Sequence, residues 1–391
     1  MANDKLSRAK EQKNDEFYTQ YSDIQKEMNA YIEFNPDVFR NKTILCPCDD
    51  PEWSNFTKFF AQNFETFGLK KLISTSYAVE SKAYKEYQPT LFETESPLFC
   101  KDKTRIKGKI FTLDRDTTKK GKIDIQDLKW NYLEGDGDFR SQEVIKLREE
   151  ADIIITNPPF SLFHEFFLWL VESKKSFIIM GNLNALKYVE VFPYIKNNKI
   201  WFGPSITSGD RLFYIPDELY EKSKVGARDL IIDGKHCISV VGVRWYTNVD
   251  HGRRHEPLSL MSMADNIKFS KHKELKNKGY QKYFNYDGID VPYIDAIPND
   301  YNGVMGVPIS FLDKYNPDQF EIIGKGAEVP KKYKHESIDG KVIVYKDGDK
   351  IIWETPYTVS ERKIGNSLRF EVDGKPGTTP YERILIKRKD I

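Results

Sequence analysis

The stretch Ala151-Asp152-Ile153-Ile154-Ile155-Thr156-Asn157-Pro158-Pro159-Phe160 decides the fold. Its run of β-branched residues shows no polar alternation, so it reads as a strand buried on both faces, the kind found inside a parallel sheet. Pro158 and Pro159 forbid further ladder hydrogen bonds, so the chain must leave the sheet at Asn157. A polar amide, a fixed turn and an aromatic ring are thereby set at the carboxyl end of a central strand. Open α/β sheets bind their ligands at that edge.

The chemistry open to such a turn follows from its atoms. An exocyclic amine on a base is a poor nucleophile because its lone pair is delocalised into the ring. The Asn157 side-chain oxygen and the Pro158 carbonyl can each accept one N–H, drawing the nitrogen towards a tetrahedral geometry. Phe160 can stack on an extruded base, and no strong general base is needed if the proton leaves after the methyl group arrives. Asn157-Pro158-Pro159-Phe160 resembles the catalytic loop of amino-methyltransferases that use S-adenosylmethionine. The plain alternative is a proline-rich turn after any buried strand. The helical pattern over residues 161–173 favours the functional reading.

At 391 residues the chain has room for two domains, each with a core of its own. Lys and Arg total 60 against 59 Asp and Glu, so no global field advertises a nucleic acid, although local basic patches stay open. No apolar run approaches the ~18 residues of a membrane span. The polar, charged start is unlike a signal peptide, so a cytoplasmic protein with no membrane partner is expected. The four cysteines are too few and scattered for a disulfide scaffold. Cys46 and Cys48 share one face of a strand-like run with no further ligands near, so they read as packing residues and no metal is expected. His251 and His255 bracket Arg253 and Arg254 in a loop. A phosphate contact fits that segment better than a metal site, and a solvated loop is the plainest reading.

Upstream of the central strand, Asp15-Glu16-Phe17-Tyr18-Thr19-Gln20-Tyr21 precedes helical spacing over residues 23–31. Phe17, Tyr18 and Thr19 either form a hydrophobic staple and cap or, by resemblance to a Tyr-Thr-Pro motif, hold the methionine end of S-adenosylmethionine. Gln20 stands where that motif has proline. Residues 42–51 read as a strand ending in Asp49 and Asp50. A helix carrying Phe56, Phe59, Phe60, Phe64 and Phe67 follows, stopped by Gly68. The usual glycine-rich signature is missing. Asp49 or Asp50 can accept from a cofactor ammonium, with Asn55 alongside, or the acids simply favour a helix N-terminus.

Residues 69–77 read as a second strand, with Glu80 a candidate for ribose hydroxyls, and a hairpin is expected over 99–113. Residues 132–140 end a further strand in a Gly-Asp turn. Its backbone can approach a ligand closely and Asp136 suits an adenine amine, a bare surface turn being the alternative. Helices over 141–150 and 183–196, with strands over 176–180, 199–202 and 237–245, complete a sheet of about seven strands. Beyond Asn248 the alternation is lost and lysines cluster with aromatics, at Lys268, Lys271, Lys273, Lys276 and Lys278 with Phe269 and Tyr280. Charge runs are usually solvated faces. A second domain beside a base-modifying site needs phosphate contacts, however, so DNA binding through Arg253, Arg254, Lys271 and Lys273 is expected.

Six segments occur in order: 15–21, 46–51 with Ser54-Asn55-Phe56, 135–141, 157–161, 303–308 and 383–387. Together they resemble the EcoRI-type family of adenine-specific DNA methyltransferases over nearly the whole chain. The resemblance implies an α/β fold: a Rossmann-like S-adenosylmethionine-dependent methyltransferase sheet over 1–248, with a C-terminal target-recognition domain over 249–391. It implies methyl transfer from S-adenosylmethionine to adenine N6 within a short sequence of double-stranded DNA, and hence base extrusion. Carried over by position, Asn157, Pro158 and Phe160, with Pro159 between them, hold the target adenine. Tyr18, Thr19, Asp49 and Asp136 contact the cofactor. Any cognate restriction endonuclease is expected as a separate protein. Two other readings stay open. One is an amino-group methyltransferase acting on protein glutamine, RNA or cytosine N4. The other is a catalytically silent DNA-binding protein, against which the intact Asn-Pro-Pro-Phe argues.

Overall fold

In a computed structural model the run of isoleucines forms strand β5 (Ile153–Thr156), buried at every position. The described residues are 19–51, 54–78, 99–114, 130–207, 209–214, 230–232, 234–283, 286–326, 334–338, 341–346, 349–354, 369–372, 375–378 and 382–389. The chain divides into two units, Met1–Ile195 with Lys199–Gly252, and Lys196–Asn198 with Arg253–Ile391.

The first unit carries an eight-stranded mixed α/β sheet in the order β4 (Trp130–Tyr132), β3 (Lys109–Leu113), β2 (Lys71–Thr75), β1 (Thr43–Cys46), β5, β6 (Ser176–Asn182), β11 (Val243–Thr247) and β7 (Trp201–Phe202). Helix α1 (Tyr21–Phe34) leads into β1 (Thr43–Cys46), and α2 (Asn55–Gln62) and the short α3 (Phe64–Phe67) lead into β2 (Lys71–Thr75). Ser54 caps α2 by accepting the N–H groups of Phe56 and Thr57, so the helix starts after the acidic turn. Gly68, in the left-handed region at φ +62, ends α3. The phenylalanines of this segment pack edge to face, Phe59 on Phe60 at 5.3 Å and Phe39 on Phe60 at 5.6 Å, and close one side of the core.

Residues 99–113 are not a hairpin. They form helix α4 (Lys101–Ile106) followed by β3 (Lys109–Leu113), which runs antiparallel to β2. The Lys-Asp-Lys-Thr-Arg-Ile run lacks period-two alternation, and Tyr132 secures it, its hydroxyl lying 2.6 Å from Thr104 Oγ1. Strand β4 (Trp130–Tyr132) pairs antiparallel with β3, α5 (Gln142–Glu150) precedes β5, and α6 (Phe163–Ser173) follows it. Strand β6 (Ser176–Asn182) runs parallel to β5.

The helix expected over 183–196 is broken into a 3-10 turn (Leu183–Lys187) and α7 (Phe192–Lys196), because Pro193 cannot donate back into a preceding turn. Next come β7 (Trp201–Phe202), β8 (Asp210–Tyr214), β9 (Leu230–Ile232), β10 (Lys235–Val241) and β11 (Val243–Thr247). The strand expected over 237–245 is thus two strands. Gly242, at φ +77, turns the chain between them. Only β11 and β7 join the main sheet, while β8-β10-β9 form a separate antiparallel sheet. The central sheet therefore has one strand more than expected. Among the described residues no helix is long and apolar enough to cross a membrane.

The second unit holds helices α8 (Met263–Phe269) and α9 (Lys273–Lys278) and a five-stranded sheet. That sheet comprises β12 (Gln281–Lys282), β13 (Gly288–Asp290), β14 (Val304–Pro308), β15 (Phe320–Lys325) and β21 (Arg383–Arg388), with β21 between β14 and β15. Two small antiparallel sheets, β16–β18 (334–354) and β19–β20 (369–378), complete it. Met305, Val307, Phe320, Ile384 and Ile386 are buried in its core. Arg383 and Tyr283 both donate to buried Asp290, at 2.8 and 2.6 Å, which compensates the carboxylate.

Candidate active site

Strands β2, β1, β5 and β6 lie side by side and parallel. The chain leaves β1 towards β2, β3 and β4, then returns to β5 on the other side of β1. That reversal opens a crevice between the loops that follow β1 and β5. One cavity of about 860 Å³, counting its open mouth, occupies the place. Thr19, Asp49, Asp50, Asn55, Asn157 and Pro159 line it, joined by Cys48, Ser76, Tyr77, Gly137, Asp138 and Leu162.

The polar residues are fixed by one another. Asn55, at the start of α2, donates to the Thr19 carbonyl at 2.8 Å, and the Thr19 hydroxyl reaches Met180 Sδ of β6 at 3.3 Å. Asp49 accepts from the Ser54 hydroxyl at 2.7 Å and from the Thr156 hydroxyl at 2.6 Å. Asp50 lies 3.8 Å from the buried ammonium of Lys109, which sits 4.7 Å from the Trp130 ring centroid. Asp138 is clasped by Arg140 through two bonds, at 2.9 and 2.6 Å, and Arg140 reaches on to Glu165 of α6 at 3.0 Å. Phe139 is buried edge to face against Phe166 and Trp169 of the same helix.

Burial pushes the Asp49 carboxyl up from its ordinary value to about 7, against the pull of the Thr156 and Ser54 hydrogen bonds, and Asp50 adds to the rise. Burial also raises the neighbouring Cys46 thiol, with Asp49 adding to it. An unfolded chain ionises Asp49 near pH ~4, so between about pH 4 and 7 the folded state holds this proton more tightly and stability falls as pH rises. Asp49→Asn removes that slope. The asparagine variant is expected to gain on wild type by about 2–3 kcal/mol between roughly pH 5 and 8. Denaturant titrations at both pH values check this, and a difference that does not move with pH counts against a raised Asp49.

Of the residues singled out in the sequence, Thr19, Asp49, Asp50, Asn55, Asn157 and Pro159 are brought together at this cavity. Phe17, Tyr18 and Glu80 lie outside the described residues. The Asn157 amide oxygen is buried. Pro158 is buried, and half-buried Phe160 packs edge to face on Phe213 of β8 at 6.0 Å; neither lines the cavity. Asp136 does not line it either. Its carboxylate accepts the Asp138 N–H at 3.1 Å, and its carbonyl accepts the Ala78 N–H at 2.7 Å. Asp138, two residues on, faces the cavity instead.

In the second unit Arg254 is 8% exposed and donates to Asn198. Lys271 is exposed and pairs with Asp295 at 3.1 Å, and Lys273 is exposed. Arg253 is half-buried in the 3-10 turn Gly252–His255, and His251 is buried with Nε2 3.0 Å from the Phe202 carbonyl. Among the described residues no group of three or more His, Cys, Asp or Glu side chains is placed to hold a metal.

A mixed α/β sheet with an Asn-Pro-Pro-Phe turn beside an acid-lined cavity at its switch point suits a methyltransferase fold. The family follows from comparison of the whole chain: it belongs to the family described as "Adenine-specific methyltransferase EcoRI", whose model matches residues 5–389. By that membership it is a DNA adenine methyltransferase. The chain is 42% identical over 337 residues to the Type II methyltransferase M.EcoRI of Escherichia coli, covering 86% of this chain and 93% of that one. It is 35% identical to the Type II methyltransferase M.MgeORF184P of Mycoplasma genitalium, over 81% of this chain and 85% of the relative. It is 34% identical to the Type II methyltransferase M.MpnI of Mycoplasma pneumoniae, over 81% and 84%. No solved structure matches.

Proposed function

We propose that this enzyme methylates N6 of an adenine extruded from a specific short sequence in double-stranded DNA, with S-adenosylmethionine as donor. The observation that carries this reading is that Asn157 and Pro159 of the turn share one cavity with Thr19, Asp49, Asp50 and Asp138. The cavity's chemistry fits that donor. Its carboxylates suit an ammonium and ribose hydroxyls, and its apolar wall, with Phe56 and Leu162, suits an adenine ring. When bound, S-adenosylmethionine supplies an electrophilic methyl group.

The chain's own residues then do the following. Asn55 holds the Thr19 segment against the cavity. Asp50, Asp138 and the Asp49 loop orient the donor. The Asn157 side-chain oxygen and the Pro158 carbonyl accept the two N–H bonds of the target amine and turn its lone pair towards the methyl group. Phe160 stacks on the extruded base, after a turn away from Phe213 or as part of that aromatic pair.

In the same reading the first unit is a Rossmann-like S-adenosylmethionine-binding domain, close to 1–248. The second, close to 249–391, is a target-recognition domain. Exposed Lys271 and Lys273 there meet phosphates, with Arg253 beside them, while Arg254 supports that segment from within through Asn198. A cognate restriction endonuclease would be a separate protein.

Methylation-aware sequencing of DNA from cells expressing this protein tests the proposal. N6-methyladenine confined to one short motif is the expected result. Unmodified DNA from cells containing folded protein that binds S-adenosylhomocysteine would overturn it.

A further inference from the structure

Thr156 lies inside β5, one residue before the turn, and is fully buried. On the β6 side its position is set by the ladder, which pairs it with Ile179. On the β1 side the ladder has already ended, for β1 and β5 pair only at Ile44 with Ile153 and at Leu45 with Ile154. What reaches Thr156 from that side is a side chain: its hydroxyl donates to Asp49 Oδ2 at 2.6 Å.

Asp49 is itself held from several directions. Its N–H donates to the Thr75 carbonyl at 2.9 Å, and its own carbonyl accepts from the Ser74 hydroxyl at 2.5 Å. Its Oδ1 accepts from Ser54 at 2.7 Å. The Ser54 oxygen accepts the Phe56 and Thr57 N–H groups, at 3.0 and 3.4 Å, so its hydrogen is directed at the carboxylate. The carboxylate thus stands where β1, β2, β5 and α2 meet, and it replaces the missing rung between β1 and β5. Once Asp49 is ionised, above about pH 7, its bond from the Thr156 hydroxyl is charge-assisted, stronger than a neutral one and narrow in geometry.

We infer that Thr156 and Asp49 form a positioning pair, in which the Asp49 carboxylate holds the Thr156 hydroxyl and so fixes the direction in which Asn157 leaves the sheet. The inference rests on the reading of Asn157 as the residue that holds the target amine. Neither member has to touch that amine. The pair also links the two halves of the site, because Asp49 lines the cavity whose other wall carries Asn157 and Pro159. A displacement of the β1 loop is passed to the turn through one hydrogen bond.

The test uses the full-length protein and unmethylated genomic DNA. Three quantities are measured: the single-turnover methylation rate, the dissociation constant for S-adenosylhomocysteine, and the melting temperature. Thr156→Val keeps the side chain's shape and removes the hydroxyl. It is expected to slow the single-turnover rate by about 10²-fold, the scale of a small misplacement of a reacting group, while S-adenosylhomocysteine binds within about threefold of wild type. Thr156→Ser, which keeps the hydroxyl, is expected to recover most of that rate. In a double-mutant cycle Thr156→Val and Asp49→Asn should lose less together than the sum of their separate losses.

A wild-type rate for Thr156→Val, equal losses for valine and serine, or additive losses in the cycle would each overturn the inference. Should Thr156→Val not fold, Thr156→Ala is read by the same measurements, and an unchanged rate there overturns it too. Asn157→Ala in the same assay separates the two levels. An active Asn157→Ala sinks the reading of the turn itself. An inactive one beside a normal Thr156→Val sinks only the pair.

Discussion

Asn157→Ala is expected to reduce methyl transfer by at least ~10²–10³-fold, the scale seen when one preorganised hydrogen-bonding group is removed from a reacting centre. Melting temperature and affinity for S-adenosylhomocysteine are expected to stay close to wild type. The turn is shaped by Pro158 and Pro159 and by the Thr156–Asp49 hydrogen bond, none of which involves the Asn157 side chain. On the proposed role of Asn157, loss of that side chain leaves the target amine planar, its lone pair still conjugated with the ring. Transfer of labelled methyl groups to DNA, beside calorimetric titration of S-adenosylhomocysteine, reads the two quantities separately. Full turnover in the variant would remove Asn157 from the chemistry.

Gly137→Ala is expected to act in the opposite way, on the cavity before the chemistry. Gly137 has φ +84, where an L side chain is strained, and a Cβ built there would meet the Ser76 carbonyl at 2.1 Å. The neighbouring backbone cannot yield. Ser76 donates its N–H to the Lys109 carbonyl at 3.0 Å, and Ala78 donates to Asp136 at 2.7 Å. Gly108 meets the same carbonyl, its Cβ falling 2.4 Å away. Backbone strain and a collision at one buried position together cost about 2–4 kcal/mol. Relief of the collision moves a wall of the cavity, so the variant should melt lower and bind S-adenosylhomocysteine at least ~10-fold more weakly, a loss of about 1.4 kcal/mol in binding. Unchanged binding and melting would show that this wall is more pliant than its contacts indicate.

The parts of the molecule legible in the sequence are those set by local pattern. The β-branched isoleucines before Asn157 favour a two-sided buried strand, and the prolines enforce an exit from the sheet. The regular spacing of Phe56, Phe59 and Phe60 allows only a helix. Strand breaks were less visible. Val241, Gly242 and Val243 look continuous until the left-handed backbone of Gly242 parts one strand into two sheets. The helix over Lys101–Ile106 was hidden because its anchor, Tyr132, lies far along the chain. The same distance concealed much of the site. Whether Asp136 or Asp138 faces the cavity depends on an Asx turn and on the clasp of Arg140, not on spacing. The contact between Asp49 and Thr156 spans 107 residues and carries no local signature.

The cavity walls come from Thr19, from 47–50 with 54–56, from 76–77, from 137–139 and from Asn157, Pro159 and Leu162, parts far apart in sequence. Each becomes a wall only after a long stretch of chain has closed on itself, and that closure costs entropy before any contact repays it. A ligand seated among them therefore acts as a reversible cross-link across most of the first unit. At about a hundred times its dissociation constant it adds ~2.7 kcal/mol to stability by mass action alone. Inside a cell, the supply of that ligand would then help set how long the chain survives as well as how fast it works.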